Sequence, residues 1–118
     1  MADFPKIKTA IPQHRYRYGD YGVTILGEIE SGDDREYTFL AAFVYEGEAQ
    51  PRLYIASEKL PPGQRDAGTH ALRLINSAMD EVMETGSRWG QLSEFSDQAL
   101  RMGAQMLGLE QETPYQLM

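Results

Sequence analysis

Residues 61–63 are Pro-Pro-Gly, and the amino-acid pattern changes at this point. Proline lacks a backbone N–H and glycine favours turns, so this tripeptide ends one structural element before another begins. Before it, apolar and polar residues alternate, as in strands with one buried face. After it, apolar residues recur every three or four positions, as in amphipathic helices. The sequence therefore predicts an α+β fold in which a sheet is followed by helices.

Three segments rich in Gly, Asp and Pro divide the first part of the chain into four predicted strands. These segments are residues 19–20, 31–34 and 47–51, and each is short enough to connect a hairpin. Strands joined by short connections lie side by side, which predicts a four-stranded antiparallel meander sheet in the order 1-2-3-4. The predicted strands are His14–Tyr18, Tyr21–Glu30, Arg35–Glu46 and Arg52–Glu58.

Two helices are predicted after the Pro-Pro-Gly segment, within residues 66–109. Asp66–Glu84 and Glu94–Leu109 each carry an apolar stripe, and a glycine stands near the end of each, where helices favour it. Both stripes need a partner, so we expect the two C-terminal helices to pack on one face of the sheet. The 118 residues are then a single α+β domain, 1–118, with an N-terminal arm at 1–12, the sheet at 14–58, the helix pair at 66–109 and a tail at 110–118.

Alternation along the strands assigns the apolar side chains to two faces of the sheet. A register with Ile25 opposite Ala41 and Phe43 opposite Ile55 places the large aromatic rings on one face, which we expect the helices to cover. That face consists of Tyr16, Tyr18, Val23, Ile25, Ile29, Tyr37, Phe39, Phe43, Leu53 and Ile55.

The opposite face, which we call the outer face, is also apolar at its centre. It carries Thr24, Leu26, Leu40, Ala42, Val44, Tyr54 and Ala56. Two helices cover only one face of such a sheet, and contiguous exposed apolar patches are uncommon on monomers. We therefore expect a second cover, which is either a protein partner or a terminal segment, residues 1–12 or 110–118, folded back.

A second copy of the chain is the simplest partner, because one self-complementary patch serves both subunits of a twofold homodimer. An apolar centre with a charged rim is the usual layout of a protein contact surface. The predicted partner-binding residues are Arg15, Arg17, Leu26, Leu40, Val44 and Tyr54.

The residue types give no support to catalysis. Cys is absent, which excludes thiolate metal ligands, a cysteine nucleophile and iron–sulfur clusters. The sequence contains neither a Gly-x-Ser-x-Gly nucleophile motif nor a glycine-rich phosphate loop, and its two distant histidines do not have metal-ligand spacing. We therefore predict a non-catalytic interaction or accessory protein with no catalytic residues, no metal and no cofactor.

The alternative function is that of a small-ligand-binding protein or an enzyme with a site between the sheet and the helices. Imidazole and aromatic side chains are the candidates to line such a site. They are His14, Tyr16, Tyr18, His70 and Trp89. A water-accessible cavity between the layers would favour this alternative, and a closed core would favour the interaction protein.

The formal net charge is −7, although residues 1–17 carry +3 from Lys6, Lys8, Arg15 and Arg17 against Asp3. An acidic surface repels nucleic-acid phosphates and anionic membranes. No apolar stretch approaches the ~20 residues that a membrane-spanning helix needs. We expect an acidic, cytoplasmic protein that binds neither nucleic acid nor membrane.

Trp89 lies between Gly86 and Gly90, just before the last predicted helix. A large aromatic residue in a glycine-flanked loop anchors that loop by burying its ring. We predict that Trp89→Ala lowers the free energy of unfolding by about 3–5 kcal/mol, as measured by denaturant titration. Unchanged stability combined with lost binding to a partner would instead make Trp89 a contact residue.

Overall fold

The computed structural model of the chain describes residues 4–118. They form one seven-stranded antiparallel sheet and one α-helix, with two short 3-10 turns at Pro62–Gln64 and Ser87–Gly90. The elements are β1 (Ile7–Tyr18), β2 (Tyr21–Ser31), β3 (Tyr37–Tyr45), β4 (Leu53–Lys59), β5 (His70–Asn76), β6 (Asp80–Thr85), α1 (Leu92–Leu107) and β7 (Tyr115–Gln116). Across the sheet the strands follow the order β6-β5-β4-β3-β2-β1-β7.

The prediction of a four-stranded sheet with two C-terminal helices is wrong, because Asp66–Glu84 contains the β5–β6 hairpin and no α-helix. The short apolar run at 71–75 suits a helix or a strand buried on both faces, and periodicity alone does not separate them. In β5, Leu72 and Leu74 belong to the core beneath the helix, while Ile75 is fully buried on the other face. The Asn76 side chain accepts hydrogen bonds from the next turn, which reverses the chain.

The last predicted helix is present as α1, displaced by two residues at each end from the predicted Glu94–Leu109. Gly108 has a left-handed backbone (φ 71°) and donates its N–H to the carbonyl of Ala104. This conformation is nearly free of strain only for glycine, and it ends the helix. Because a single helix is present, it has to cover the centre of a sheet much wider than the predicted one.

Strand pairing agrees with the predicted register at the β2–β3 hairpin and differs at the β3–β4 hairpin. Ile25 lies opposite Ala41, as predicted, but Phe43 pairs with Leu53, so the predicted pairing of Phe43 with Ile55 is wrong. The connection between β3 and β4 holds more residues than expected, and the Arg52 guanidinium in it lies 4.1 Å from the centroid of the Tyr45 ring. A shift of two residues keeps every side chain on its face, which is why the predicted faces survive this error.

Two residues lie on the opposite face from the one predicted. Ile29 and Tyr37 were assigned to the face beneath the helices, but both belong to the outer cluster that contains Leu40. The reason is a pair of irregularities. Glu28 has a positive φ of 46° in β2, and the β3–β4 register shifts between Tyr37 and Phe39. Each extra residue reverses the facing of the residues beyond it in the strand.

The two terminal segments join the sheet. The predicted arm at 1–12 instead holds the start of β1, which begins at Ile7, and residues 1–3 lie outside the described part of the chain. The tail at 110–118 supplies β7, and the N–H of Leu117 donates to the carbonyl of Arg15 at 2.7 Å. The tail therefore covers the edge of β1 and is not folded over the outer face.

The core beneath α1 is closely packed. Phe95 of the helix stacks on Phe39 with ring centroids 5.6 Å apart, and Phe43, Ile55 and Trp89 are buried around them. The interface beneath the helix is therefore apolar and shielded from water.

Gly103 marks the closest approach of helix and sheet, because a Cβ at this position would overlap the Phe43 ring. We predict that Gly103→Ala lowers the free energy of unfolding by about 1–3 kcal/mol, since the methyl group must displace a buried ring. Gln105→Ala on the exposed side of the same helix is the control and should change stability by less than ~0.5 kcal/mol. Equal urea-denaturation midpoints for the two variants would contradict this close packing.

Candidate contact surface

The strand register aligns side chains of the outer face in rows that cross the sheet. One row runs from Arg15 on β1 through Thr24 and Ala42 to Tyr54 and Ile75 on β5. Because pairing residues share a face of the sheet, these side chains are neighbours despite their distance along the chain.

Two further rows flank the first. One contains Arg17, Gly22 and Val44, and the other contains Pro12, Leu26, Leu40, Ala56 and Arg73. The six predicted partner-binding residues therefore lie on the same face, spread over four adjacent strands.

Part of the outer face is covered by the chain itself. Phe4 packs edge-on against Tyr54 with ring centroids 5.6 Å apart, and Ile7 and Ile29 pack against the outer cluster around Leu40. Leu40 is consequently 0 % exposed. A partner cannot reach Leu40 without displacing this cover, so its role in the described chain is packing.

Another part of the same face retains solvent exposure. Thr24, Leu26, Val44 and Tyr54 are all half-buried, and Gly22 adds no side chain between them. The nearest atom to a Cβ built on Gly22 is the Val44 carbonyl oxygen, 4.0 Å away. We call these five residues the open patch.

Charges of both signs border the open patch. Arg15 and Arg17 are exposed on β1, which is the next strand after β2. Nε of Arg17 donates to the Gly19 carbonyl at 3.0 Å, and its Nη2 lies 3.2 Å from Oε2 of Glu46. This layout of apolar centre and charged border is typical of a protein contact surface.

An ion-pair network holds the connection between β2 and β3 against the sheet. Nη2 of Arg73 lies 2.8 Å from Oε1 of Glu58, and Nη1 lies 2.8 Å from Oδ1 of Asp80. Arg35, from the connection, approaches the other oxygen of Asp80 at 2.6 Å. All four side chains are largely shielded from water, so their attraction is screened less than that of surface pairs.

The ion-pair network perturbs the acid–base chemistry of Asp80. Partial burial disfavours the carboxylate, but hydrogen bonds from Arg73 and Arg35 outweigh that cost and hold the pKa of Asp80 below its ordinary value of 3.8. Beside the network, burial followed by the charge of Asp33 raises the pKa of the Tyr37 phenol to about 12. At neutral pH, therefore, Asp80 is ionised and Tyr37 is a neutral hydroxyl.

The predicted ligand-site residues do not come together. His14 lies beside Tyr16 on β1, with ring centroids 6.2 Å apart, and its Nδ1 is 3.2 Å from the side-chain amide of Gln116. His70 lies on β5, four strands away, which is about 19 Å at the usual strand spacing. Tyr18 is buried in the core on the β1 side of the sheet, so these residues form no common site.

Both ring nitrogens of His70 are engaged. Nε2 lies 2.9 Å from Oγ1 of Thr38, and Nδ1 lies 2.8 Å from Oγ1 of Thr69. Burial, followed by the positive charges of Lys59 and Arg65, lowers the pKa of His70. The imidazole is therefore neutral near pH 7 and bridges two hydroxyls.

Trp89 is buried as predicted, with 1 % of its surface exposed. The Ser57 hydroxyl, fully buried on β4, donates to the Trp89 carbonyl and ties the 3-10 turn to the sheet. The ring fills the space where the alternative hypothesis places a ligand.

Within residues 4–118, no group of three or more His, Asp or Glu side chains is arranged to hold a metal ion. Nor does any described helix have the length and apolar character needed to cross a membrane.

We compared the chain with protein-family models, with curated proteins and with solved structures, and found no match in any of the three comparisons.

The ion-pair network was not predicted from the sequence. Arg35 and Asp80 are 45 positions apart, and Arg73 and Asp80 both lie in the segment predicted as a helix. The one signal in the sequence is at 71–75, where Arg73 interrupts an otherwise apolar run. A charged side chain in such a strand indicates a buried partner.

The lowered pKa of Asp80 generates a pH prediction. A carboxyl group whose pKa is lower in the folded than in the unfolded state stabilises the fold above the unfolded-state pKa, and this contribution is lost as pH falls through the folded-state pKa. Asp80→Asn should therefore be less stable than the native chain at pH 7, and the difference should shrink below about pH 4, close to the ordinary pKa of an aspartate.

Thermal unfolding between pH 2 and 8 measures this difference. Glu48→Gln is the control, because Glu48 also pairs bidentately with an arginine, Arg52, but on the exposed surface. Surface pairs contribute little to stability, so this variant should resemble the native chain throughout. A stability difference for Asp80→Asn that persists unchanged at pH 2 would contradict the assignment.

Proposed function

We propose that this protein is a non-catalytic interaction or accessory protein that pairs with a second copy of itself through the open patch. The observation that carries the proposal is the unequal cover of the outer face. The chain buries Leu40 and Ala56 with its own segments, yet leaves Val44 only partly buried in the same row as Arg17. An apolar face that the chain covers in one part and leaves exposed in another is typical of a surface that binds a partner.

The size of the face is compatible with a specific dimer. Such an interface buries ~1,200–2,000 Å² in total, half of it from each subunit. The surface of this chain is 6720 Å², so each copy would contribute about a tenth to a seventh of it. The open patch with its bordering charges spans three to four strands, so a dimer contact of this size would also use the residues around the patch.

The charges at the border favour a second copy over other partners. Arg17 and Glu46 lie 3.2 Å apart on one chain, and a twofold axis through the open patch would bring the same two charges from the other chain. A patch that carries both signs is complementary to itself, whereas a uniformly charged patch repels its copy. The proposed dimer contact does not involve Leu40, which is buried within its own chain.

The alternative, a ligand or substrate between sheet and helix, has less support. His14 and His70 are on strands that are far apart, and Trp89, Phe43 and Phe95 fill the interface beneath α1. We further propose a cytoplasmic location, on the sequence arguments of absent cysteine and an acidic charge.

Sedimentation equilibrium tests the dimer. The native chain should sediment at about 27 kDa, which is twice 13.3 kDa. Val44→Lys adds a positive charge beside Arg17 in each copy and should weaken association at least ~10-fold without unfolding the chain. Circular dichroism checks that the fold is retained.

Val82→Lys is the matched control, because Val82 is an exposed valine on the same face but on β6, away from the open patch. This variant should remain dimeric. A native chain that sediments at 13.3 kDa, or equal dissociation of both variants, would overturn the proposal.

A further inference from the structure

The strand β6 forms one edge of the sheet and is the most exposed of its long strands. It pairs with β5 on one side, and no other described strand pairs with it on the other. Its four central residues, 81–84, are all exposed, including Val82 at 46 % and Met83 at 50 %. Exposed apolar side chains on an edge strand are uncommon, because such an edge can pair with another chain.

The hydrogen-bond ladder shows which backbone groups of β6 face outwards. The Asn76 N–H donates to the Met79 carbonyl at 2.9 Å, so these two residues form a hydrogen-bonded pair. In an antiparallel ladder such pairs alternate with pairs whose N–H and C=O groups point away from each other. Arg73 and Val82 are opposite each other at a position of the second kind, which directs the N–H and C=O of Val82 away from β5, and the β5–β6 register shifts just beyond this pair, between Leu72 and Arg73.

The charges along this edge favour a basic partner over a second copy of β6. Glu81 lies opposite Leu74 and Glu84 lies opposite Leu72, which places both carboxylates on the helix side of the sheet. The nearest basic side chain is Arg88, 3.6 Å from Glu84, and both of these side chains are about half-exposed. Pairing of β6 with a second copy of itself would bring the glutamates of both strands together, and like charges on adjacent strands are destabilising.

The ion-pair network keeps this edge in place. Asp80, the first residue of β6, is bound by Arg35 and Arg73, which anchors the strand to the sheet. The opposite edge is different, because its outermost strand, β7, is only two residues long. β7 pairs with β1 only at Tyr16 and Arg17, so the first part of β1 is also without a described strand partner on that side, but β1 carries no pair of exposed carboxylates like that of β6.

We propose that the β6 edge binds an extended peptide segment in which basic residues alternate with apolar ones, added to the sheet as an eighth strand. Basic side chains of the segment lie on the helix side and pair with Glu81 and Glu84. Apolar side chains lie on the outer face and pack on Val82. Backbone bonds to Val82 supply part of the affinity, and the alternation of side chains supplies the specificity.

The test uses a capped eight-residue peptide of alternating Lys and Val, with the alternating Glu and Val peptide for comparison. Binding is measured by titration calorimetry, and the site is mapped by amide hydrogen exchange of the full chain. We expect the Lys peptide to bind at least ~10-fold more tightly than the Glu peptide. Its binding should slow the exchange of the Val82 amide, which the ladder directs away from β5.

Two variants separate backbone pairing from charge attraction. Val82→Pro removes the outward N–H without removing a ladder bond to β5, because proline is tolerated at such edge positions. It should weaken binding at least ~10-fold. The double variant E81K/E84K should have the same effect, and its control is D20K/E110K, which changes the net charge equally at exposed sites outside β6. The control should retain most of the affinity.

Three results would overturn the proposal. The first is that the Lys peptide does not bind, or binds without slowing exchange at Val82. The second is that D20K/E110K weakens binding as much as E81K/E84K, which would indicate attraction to overall charge alone. The third is that the Val82 amide is already protected in the chain without peptide, which would assign the edge to a second copy. None of these results depends on the open patch, so the dimer proposal stands or fails separately.

Discussion

The ion-pair network of Arg35, Glu58, Arg73 and Asp80 is the interaction on which the outer face of the sheet depends. It joins β4, β5, β6 and the β2–β3 connection within a largely dehydrated space. Removing one partner from such a cluster strands a charge away from water, which costs more than an exposed pair contributes. The network anchors the first residue of β6 and the β2–β3 connection to the outer face of the sheet.

The two faces of the sheet differ because the chain covers them by different means. On one face, α1 and the Trp89 turn form a continuous apolar layer. On the other, Phe4, Ile7 and Ile29 cover only the region around Leu40. The result is a sheet on which the open patch and the β6 edge retain solvent exposure.

Sequence reasoning failed where one pattern was compatible with two structures. The run at 71–75 fits a helix stripe as well as a strand buried on both faces, and only the position of β5 inside the sheet separates these two structures. The predicted face of Ile29 and Tyr37 is wrong for a different reason. Irregularities at Glu28 and beside Tyr37 reverse their facing, and an acidic residue with positive φ carries no distinctive sequence signal.

The sequence by itself determined that the first four strands exist and pair in chain order, that a helix ends near Gly108, and that Trp89 is buried. These follow from local chemistry, namely alternation, turn residues and the conformational freedom of glycine. Only the tertiary structure decided that β5 and β6 extend the sheet, that Leu40 is covered while Val44 is not, and that Arg35 meets Asp80. Each of these depends on groups distant in sequence, whose burial and pairing exist only after the chain has folded.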